Sequence, residues 1–209
     1  MGVSLLTSFC LWTVLVRLVD VEAIGPRGST VGFSTFNGIV HKITGVNWYL
    51  YTVTDWLGLV PIAVAMGFAI FGLWQWIRRK SIARVDRSIL VLGGFYVAVV
   101  AVYLLFETVV INYRPVLING YLEASYPSST TMLAMCVMPT AMMQLRERVK
   151  NDVLRRGVMI ASAAFTAFMI IGRLVSGVHW ITDIIGGALF STAIVLMYYA
   201  ICNIVTKNR

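Results

Sequence analysis

Apolar residues recur along the chain in runs long enough to cross a bilayer, separated by short polar turns, and no soluble-looking block interrupts them. Roughly 20 helical residues are needed to cross about 30 Å of hydrocarbon. On that measure the pattern predicts six spans, over residues 5–18, 48–77, 88–111, 129–145, 158–175 and 180–205. The fold class that follows is all-α, an integral membrane bundle of six transmembrane helices forming one membrane-embedded domain over residues 1–209. The first run is short and ends at Arg17 and Asp20, so it also reads as a signal peptide. The start Met-Gly-Val-Ser lacks a basic leader and no small-x-small cleavage signal follows, which favours a retained helix. Trp48 at one end of the second span and Trp74 and Trp76 at the other suit the two interfaces.

Composition agrees with the pattern: 59% hydrophobic residues exceed what a soluble core needs, and 12% charged residues fall short of the roughly 25% of soluble domains. The formal charge of +8 is a matter of topology. Arg78, Arg79, Lys80, Arg84 and Arg87 lie between spans two and three, and Arg146, Arg148, Lys150, Arg155 and Arg156 between four and five. With Lys207 and Arg209 these are twelve of the seventeen basic residues, which puts both loops and both termini on the cytoplasmic side of the plasma membrane. Charges in membrane-adjacent turns touch anionic headgroups and do not form a nucleic-acid surface.

The same topology places residues 20–47, 112–128 and 176–180 outside. In the first, Phe33, Phe36, Val40 and Ile43 recur at helical spacing, which fits a short interfacial helix as well as a plain loop. Cys10, Cys136 and Cys202 fall in different spans and read as small packing residues. With two histidines and no carboxylates or thiolates at ligand spacing, the sequence offers no metal site and calls for no cofactor.

The chemistry gathers at the outward ends. Ionisable groups are costly in hydrocarbon, so Arg173, His179 and Asp183 within eleven residues read first as a functional cluster. His179 and Asp183 are four apart, so on a helix the carboxylate accepts a hydrogen bond from one ring nitrogen and leaves the other free as nucleophile or base. A structural hydrogen bond is the blander reading of that pair alone. Arg114-Pro115 ends the third span and Pro127-Ser128-Ser129-Thr130 opens the fourth. A helix beginning with proline and serines presents unpaired N–H groups, and guanidinium forks match phosphate oxygens. A common helix cap and snorkelling arginines are the plainer readings, but their coincidence on one face favours a phosphate site.

In this order, Arg-Pro, Pro-Ser-x-x and Arg-x5-His-x3-Asp across outward loops of a six-span chain resemble the type-2 phosphatidic acid phosphatase superfamily, over about residues 100–190. The resemblance implies a metal-independent membrane phosphatase acting on a lipid phosphate or diphosphate among membrane lipids. His179 would form a phosphohistidine, Asp183 would orient it, and Arg114, Arg173 and the Ser128 and Ser129 amides would bind the phosphoryl group. Gly177 matches a position where the family often has glycine. Vanadate-dependent peroxidases share the family's anion pocket but are not built from six spans.

Two positions depart from the family pattern: Glu107 stands where it has lysine, and Thr130 where it has the histidine that protonates the leaving oxygen. General acid catalysis contributes about 10²–10⁴ in rate. An alkoxide, whose conjugate acid is about as weak as water, needs that proton. A phosphate monoester, with a second pKa of about 6, leaves without it. A diphosphate is therefore the expected substrate, and by analogy with family members that recycle such carriers, a polyprenyl (undecaprenyl) diphosphate of cell-envelope synthesis. Glu107 is seven residues from Arg114, suited to pairing with it or, as an auxiliary group, to donating a proton. Thr130 is the other candidate auxiliary residue, and His41 and Lys42 of the outer loop are candidates to replace the missing acid or cation. Asp55 has no evident partner. The alternatives are a lipid-phosphate binder that has lost turnover, a phosphotransferase in which another hydroxyl intercepts the phosphohistidine, and, more weakly, a channel or transporter. Oligomeric state is open.

Overall fold

A computed structural model describes residues 1–207, so Arg209 of the basic C-terminus lies outside the described residues. The helices are α1 (Gly2–Leu18), α2 (Ser34–Thr44), α3 (Trp48–Leu57), α4 (Leu59–Arg79), α5 (Arg87–Thr108), α6 (Ser129–Arg148), α7 (Asp152–Val175) and α8 (Ile181–Lys207). Boundaries differ from the sequence expectation mainly at α7, which begins six residues before position 158, where Asn151 accepts the Leu154 N–H at 2.9 Å and starts the helix early. Asn47 caps α3 in the same way. At Gly58 α3 passes into α4, so that together they make one long span, Trp48–Arg79.

Four stretches among the described residues are long and apolar enough to cross a membrane: Trp48–Arg79, Arg87–Thr108, Asp152–Val175 and Ile181–Val205. They turn Ile62, Met66 and Ile70 of α4, Val97 and Leu104 of α5 and Ile160 and Ile171 of α7 outward, toward the hydrocarbon expected around them. The other two expected spans differ for separate reasons. α1 has 17 residues. α6 has 20 residues, about 30 Å of helix, but is more polar because protein surrounds it: Thr130, Thr131, Met132, Cys136, Thr140 and Gln144 are all buried. Its polar side chains face protein instead of lipid, and Thr140 donates to the Cys136 carbonyl at 2.7 Å.

Phe9 of α1, Val99 of α5, Met132 and Cys136 of α6, Phe190 of α8 and the loop residue Tyr126 form one apolar core. At one end of the bundle the two basic loops meet. Asp86 accepts from Gln75 at 2.8 Å and Arg79 at 2.9 Å, and Arg148 reaches it from α6 at 3.5 Å. The opposite end is formed by residues 109–128, the α7–α8 turn and α2.

The helix expected among residues 33–43 is α2. Asp20 holds its first turn, accepting from the Ser34 hydroxyl at 2.9 Å and the Thr35 N–H at 2.8 Å. Its polar side faces the protein, with Asn37 donating to the Gly32 carbonyl at 2.7 Å and to Thr182 at 3.0 Å, while Phe36, Ile39 and Ile43 are exposed. That orientation suits a helix lying in the interface.

Candidate active site

Residues 112–125 form a short hairpin between α5 and α6. Asn119 and Gly120 turn it with φ of 50° and 82°, and the Arg114 N–H donates to the Glu123 carbonyl at 3.0 Å. Positive φ at two central residues is the geometry that Asn-Gly favours in a two-residue turn. The Ser125 N–H closes the hairpin on the Asn112 carbonyl at 2.9 Å. The indole of Trp180, donating to the Tyr113 carbonyl at 2.7 Å, fastens it to the turn before α8.

That turn depends on Gly177. Its φ is +66°, and a Cβ there would collide with the carbonyl of Gly45 at the end of α2. Glycine meets both demands. His179 is consequently buried, 4% exposed, against the hairpin, and Asp183 is fully buried one turn into α8.

The direct hydrogen bond expected between these two side chains is not made. His179 Nδ1 and Asp183 Oδ2 stand 3.8 Å apart, and Ser125, a residue the motif reading passed over, lies against both. Nδ1 is 3.1 Å from the Ser125 carbonyl and 3.2 Å from its hydroxyl, and that hydroxyl donates to Asp183 Oδ2. Asp183 also accepts from the Trp180 N–H at 2.9 Å and from Asn112 at 3.4 Å. Because a carbonyl oxygen only accepts, the ring proton belongs on Nδ1 and the lone pair on Nε2. Nε2 faces Arg114 Nη1 at 3.4 Å. Burial, and then the charges of Arg114 and Arg173, hold the imidazole well below its ordinary pKa, so it is neutral at pH 7.

Arg173 is 1% exposed. Its guanidinium lies over the Tyr51 ring at 5.1 Å, donates to Thr54 at 3.4 Å and is 3.6 Å from Asp55, the carboxylate that had no evident partner in the sequence. Arg114 is paired with Glu123 at 3.2 Å and not with Glu107, because α5 ends at Thr108 and the helical spacing to Arg114 is broken. The Nε of Arg173 is buried without a hydrogen-bond partner, as are the hydroxyls of Ser128 and Thr131, while Arg114 Nε faces the Glu123 carboxylate. Unmatched buried donors are costly, and the charges of both arginines act on the neutral His179 ring, an arrangement that fits an anion.

Ser128 precedes α6 without a side-chain cap, which leaves the N–H groups of the first turn open toward this site. The Ser128 amide itself donates to the Asp183 carbonyl at 3.1 Å, so of the two amides expected to bind phosphate, that of Ser129 is the one available. Ser129 and Glu107 line a small cavity with His179, Ser125 and Tyr103. Thr130 is buried in the first turn of α6. His41 packs its ring on Trp180 at 5.4 Å, behind the site, and burial lowers its pKa; Lys42 is exposed. Among the described residues no three His, Cys, Asp or Glu side chains gather as metal ligands. An apolar groove of about 590 Å³, open at the bundle surface where Ile62, Met66 and Val97 are exposed, runs between α4 and α5 and reaches α6 at Leu133, next in sequence to Met132 of the small cavity.

Comparison with curated proteins yields no match. Over its whole length the chain is similar in fold to a solved structure, the first transmembrane PAP2 type phosphatidylglycerolphosphate phosphatase from Bacillus subtilis. The TM-score is 0.70 at 18% identity, covering 100% of this chain and 98% of that one. Residues 105–207, which carry Glu107, Arg114, Ser125, the α6 N-terminus, Arg173, His179 and Asp183, match the PAP2 superfamily, and through them the chain belongs to that superfamily.

Proposed function

We propose that the protein is a membrane lipid phosphatase that cleaves a lipid diphosphate, of the polyprenyl class, through a phosphohistidine on His179. The observation that carries this reading is the neutral imidazole with Nε2 turned toward Arg114, under the charge of a second buried guanidinium, Arg173, whose Nε has no hydrogen-bond partner. Nε2 attacks phosphorus as the bond to the bridging oxygen breaks, and the lipid monophosphate leaves as an anion. Water then attacks the phosphohistidine, the P–N bond breaks and inorganic phosphate departs. Arg114, Arg173 and the Ser129 amide hold the non-bridging oxygens while charge accumulates. These steps call on no metal.

Thr130 supports the diphosphate, because its side chain cannot serve as the acid an alkoxide leaving group requires. The apolar surface groove between α4 and α5 supports a long hydrocarbon tail: from Pro61 to Trp76 it follows α4 for about 22 Å at 1.5 Å per residue. In this reading α1, the α3–α4 pair, α5, α6, α7 and α8 each cross the plasma membrane. The basic loops face the cytoplasm and the site faces outward, within one membrane-embedded domain.

The test is phosphate release by the purified protein in detergent from a polyprenyl diphosphate and a matched monophosphate, with His179→Ala alongside. Diphosphate-selective release that depends on His179 is expected. Release from the monophosphate alone would keep the phosphatase and discard the role given to Thr130. Tight lipid binding without release would make the protein a lipid-phosphate binder.

A further inference from the structure

Every polar atom of Ser125 is committed to the same small group of side chains. It is 3% exposed, its N–H donates to Asn112 at 2.9 Å, its carbonyl faces His179 Nδ1 at 3.1 Å, and its hydroxyl bridges His179 and Asp183. We infer that Ser125 is the positioning residue through which Asp183 acts on His179, its hydroxyl carrying the hydrogen bond that the two side chains do not form directly.

The distances decide the order of the chain. At 3.8 Å the imidazole and the carboxylate are beyond hydrogen-bonding reach. A serine hydroxyl has one proton and two lone pairs. With the proton given to Asp183 Oδ2, the oxygen meets Nδ1–H as an acceptor, so this ring proton is held between two oxygens of one residue. When Nε2 bonds to phosphorus and the bridging P–O bond breaks, the ring becomes cationic and Nδ1 keeps its proton. Ser125 keeps its own proton as well, and its hydroxyl, polarised by the carboxylate, stabilises the new charge. Asn112 holds both ends in register, accepting from the Ser125 N–H and donating to Asp183 at 3.4 Å. The inference rests on His179 as the nucleophile.

The experiment compares Ser125→Ala, Ser125→Thr, Asp183→Asn and the Ser125→Ala/Asp183→Asn double variant with the wild-type protein and His179→Ala, measuring kcat and KM on the lipid diphosphate. Outer-shell partners of this kind are typically worth about 10–100-fold, and Ser125→Ala is expected to lose about that much in kcat with KM within about threefold. Ser125→Thr, which keeps the hydroxyl, is expected to regain most of it. If Ser125 works through Asp183, the double variant is no worse than Asp183→Asn within about threefold. A Ser125→Ala protein with wild-type kcat, or losses that multiply in the double variant, overturns the inference. Should Ser125→Ala not yield monodisperse protein, Ser125→Cys is read at unchanged melting temperature: a lower kcat supports the inference and a wild-type kcat overturns it. Wild-type protein that releases no phosphate defeats the phosphatase reading itself, whereas an active wild type with an indifferent Ser125 defeats only the relay.

Discussion

Arg114 Nη1 lies 3.4 Å from Nε2 of His179, so a guanidinium covers the ring nitrogen to which the attack on phosphorus is assigned. The contact does two things. It puts a cation where, in the proposed reaction, the oxygens of a bound phosphoryl group would sit, and it discourages protonation of the ring. Arg114→Ala is therefore expected to lower kcat by about 10²–10³, the usual cost of removing one oxyanion donor. Because a positive charge is removed beside His179, the acid limb of its rate profile should also move to higher pH. Arg114→Lys should restore the charge effect better than the rate, since an ammonium lacks the planar fork. Steady-state kinetics across pH separate the two.

The depressed pKa of His179 sets a second expectation. The neutral imidazole persists below the ordinary histidine value of about 6.5, so kcat/KM of the wild-type protein should stay level as pH falls through 6.5 and decline only further into acid. The same shift has a stability consequence. The unfolded chain takes up a proton near pH 6.5 and the folded chain does not. Stability is thus fully present above about 6.5 and is lost as pH falls from there toward the folded value. Melting temperatures of wild type and His179→Gln between pH 7.5 and 5 would show this, the variant lacking that component of the slope.

Gly177 is expected to resist any side chain. Gly177→Ala forces a Cβ against the Gly45 carbonyl and a positive φ on alanine, a strain of about 1–3 kcal/mol. Because the turn carries His179, activity should fall with the melting temperature. Thermal unfolding in detergent, followed beside phosphate release, measures both.

Topology is checked by single cysteines placed in a variant lacking Cys10, Cys136 and Cys202. Glu123→Cys on the hairpin is expected to react with an impermeant maleimide added to intact cells, and Arg155→Cys at the start of α7 only after lysis. The reverse pattern would turn the site inward.

The apolar runs were enough to mark most of the long helices, and the charges among them to mark a candidate site. Hydrophobic run length depends on bilayer thickness and helical rise, both independent of tertiary contacts, so α4, α5, α7 and α8 were legible. The spacing of Phe33, Phe36, Val40 and Ile43 fitted a helix as well as a loop, and α2 takes in all of them but Phe33, which sits before its first turn with positive φ. Arg114, Arg173, His179 and Asp183 announced themselves because charges in apolar sequence require a reason. Tertiary structure alone decided their partners. Glu107 and Arg114 look paired on a helix that in fact stops at Thr108. Asp55 finds Arg173 across 118 positions of chain (173 − 55) only when α3 packs on α7. Ser125 carries no signal as a residue type, although Asn119-Gly120 marks the hairpin that delivers it. A serine becomes part of a site when folding buries its hydroxyl between an imidazole and a carboxylate, and that placement depends on the register of a hairpin against a distant helix.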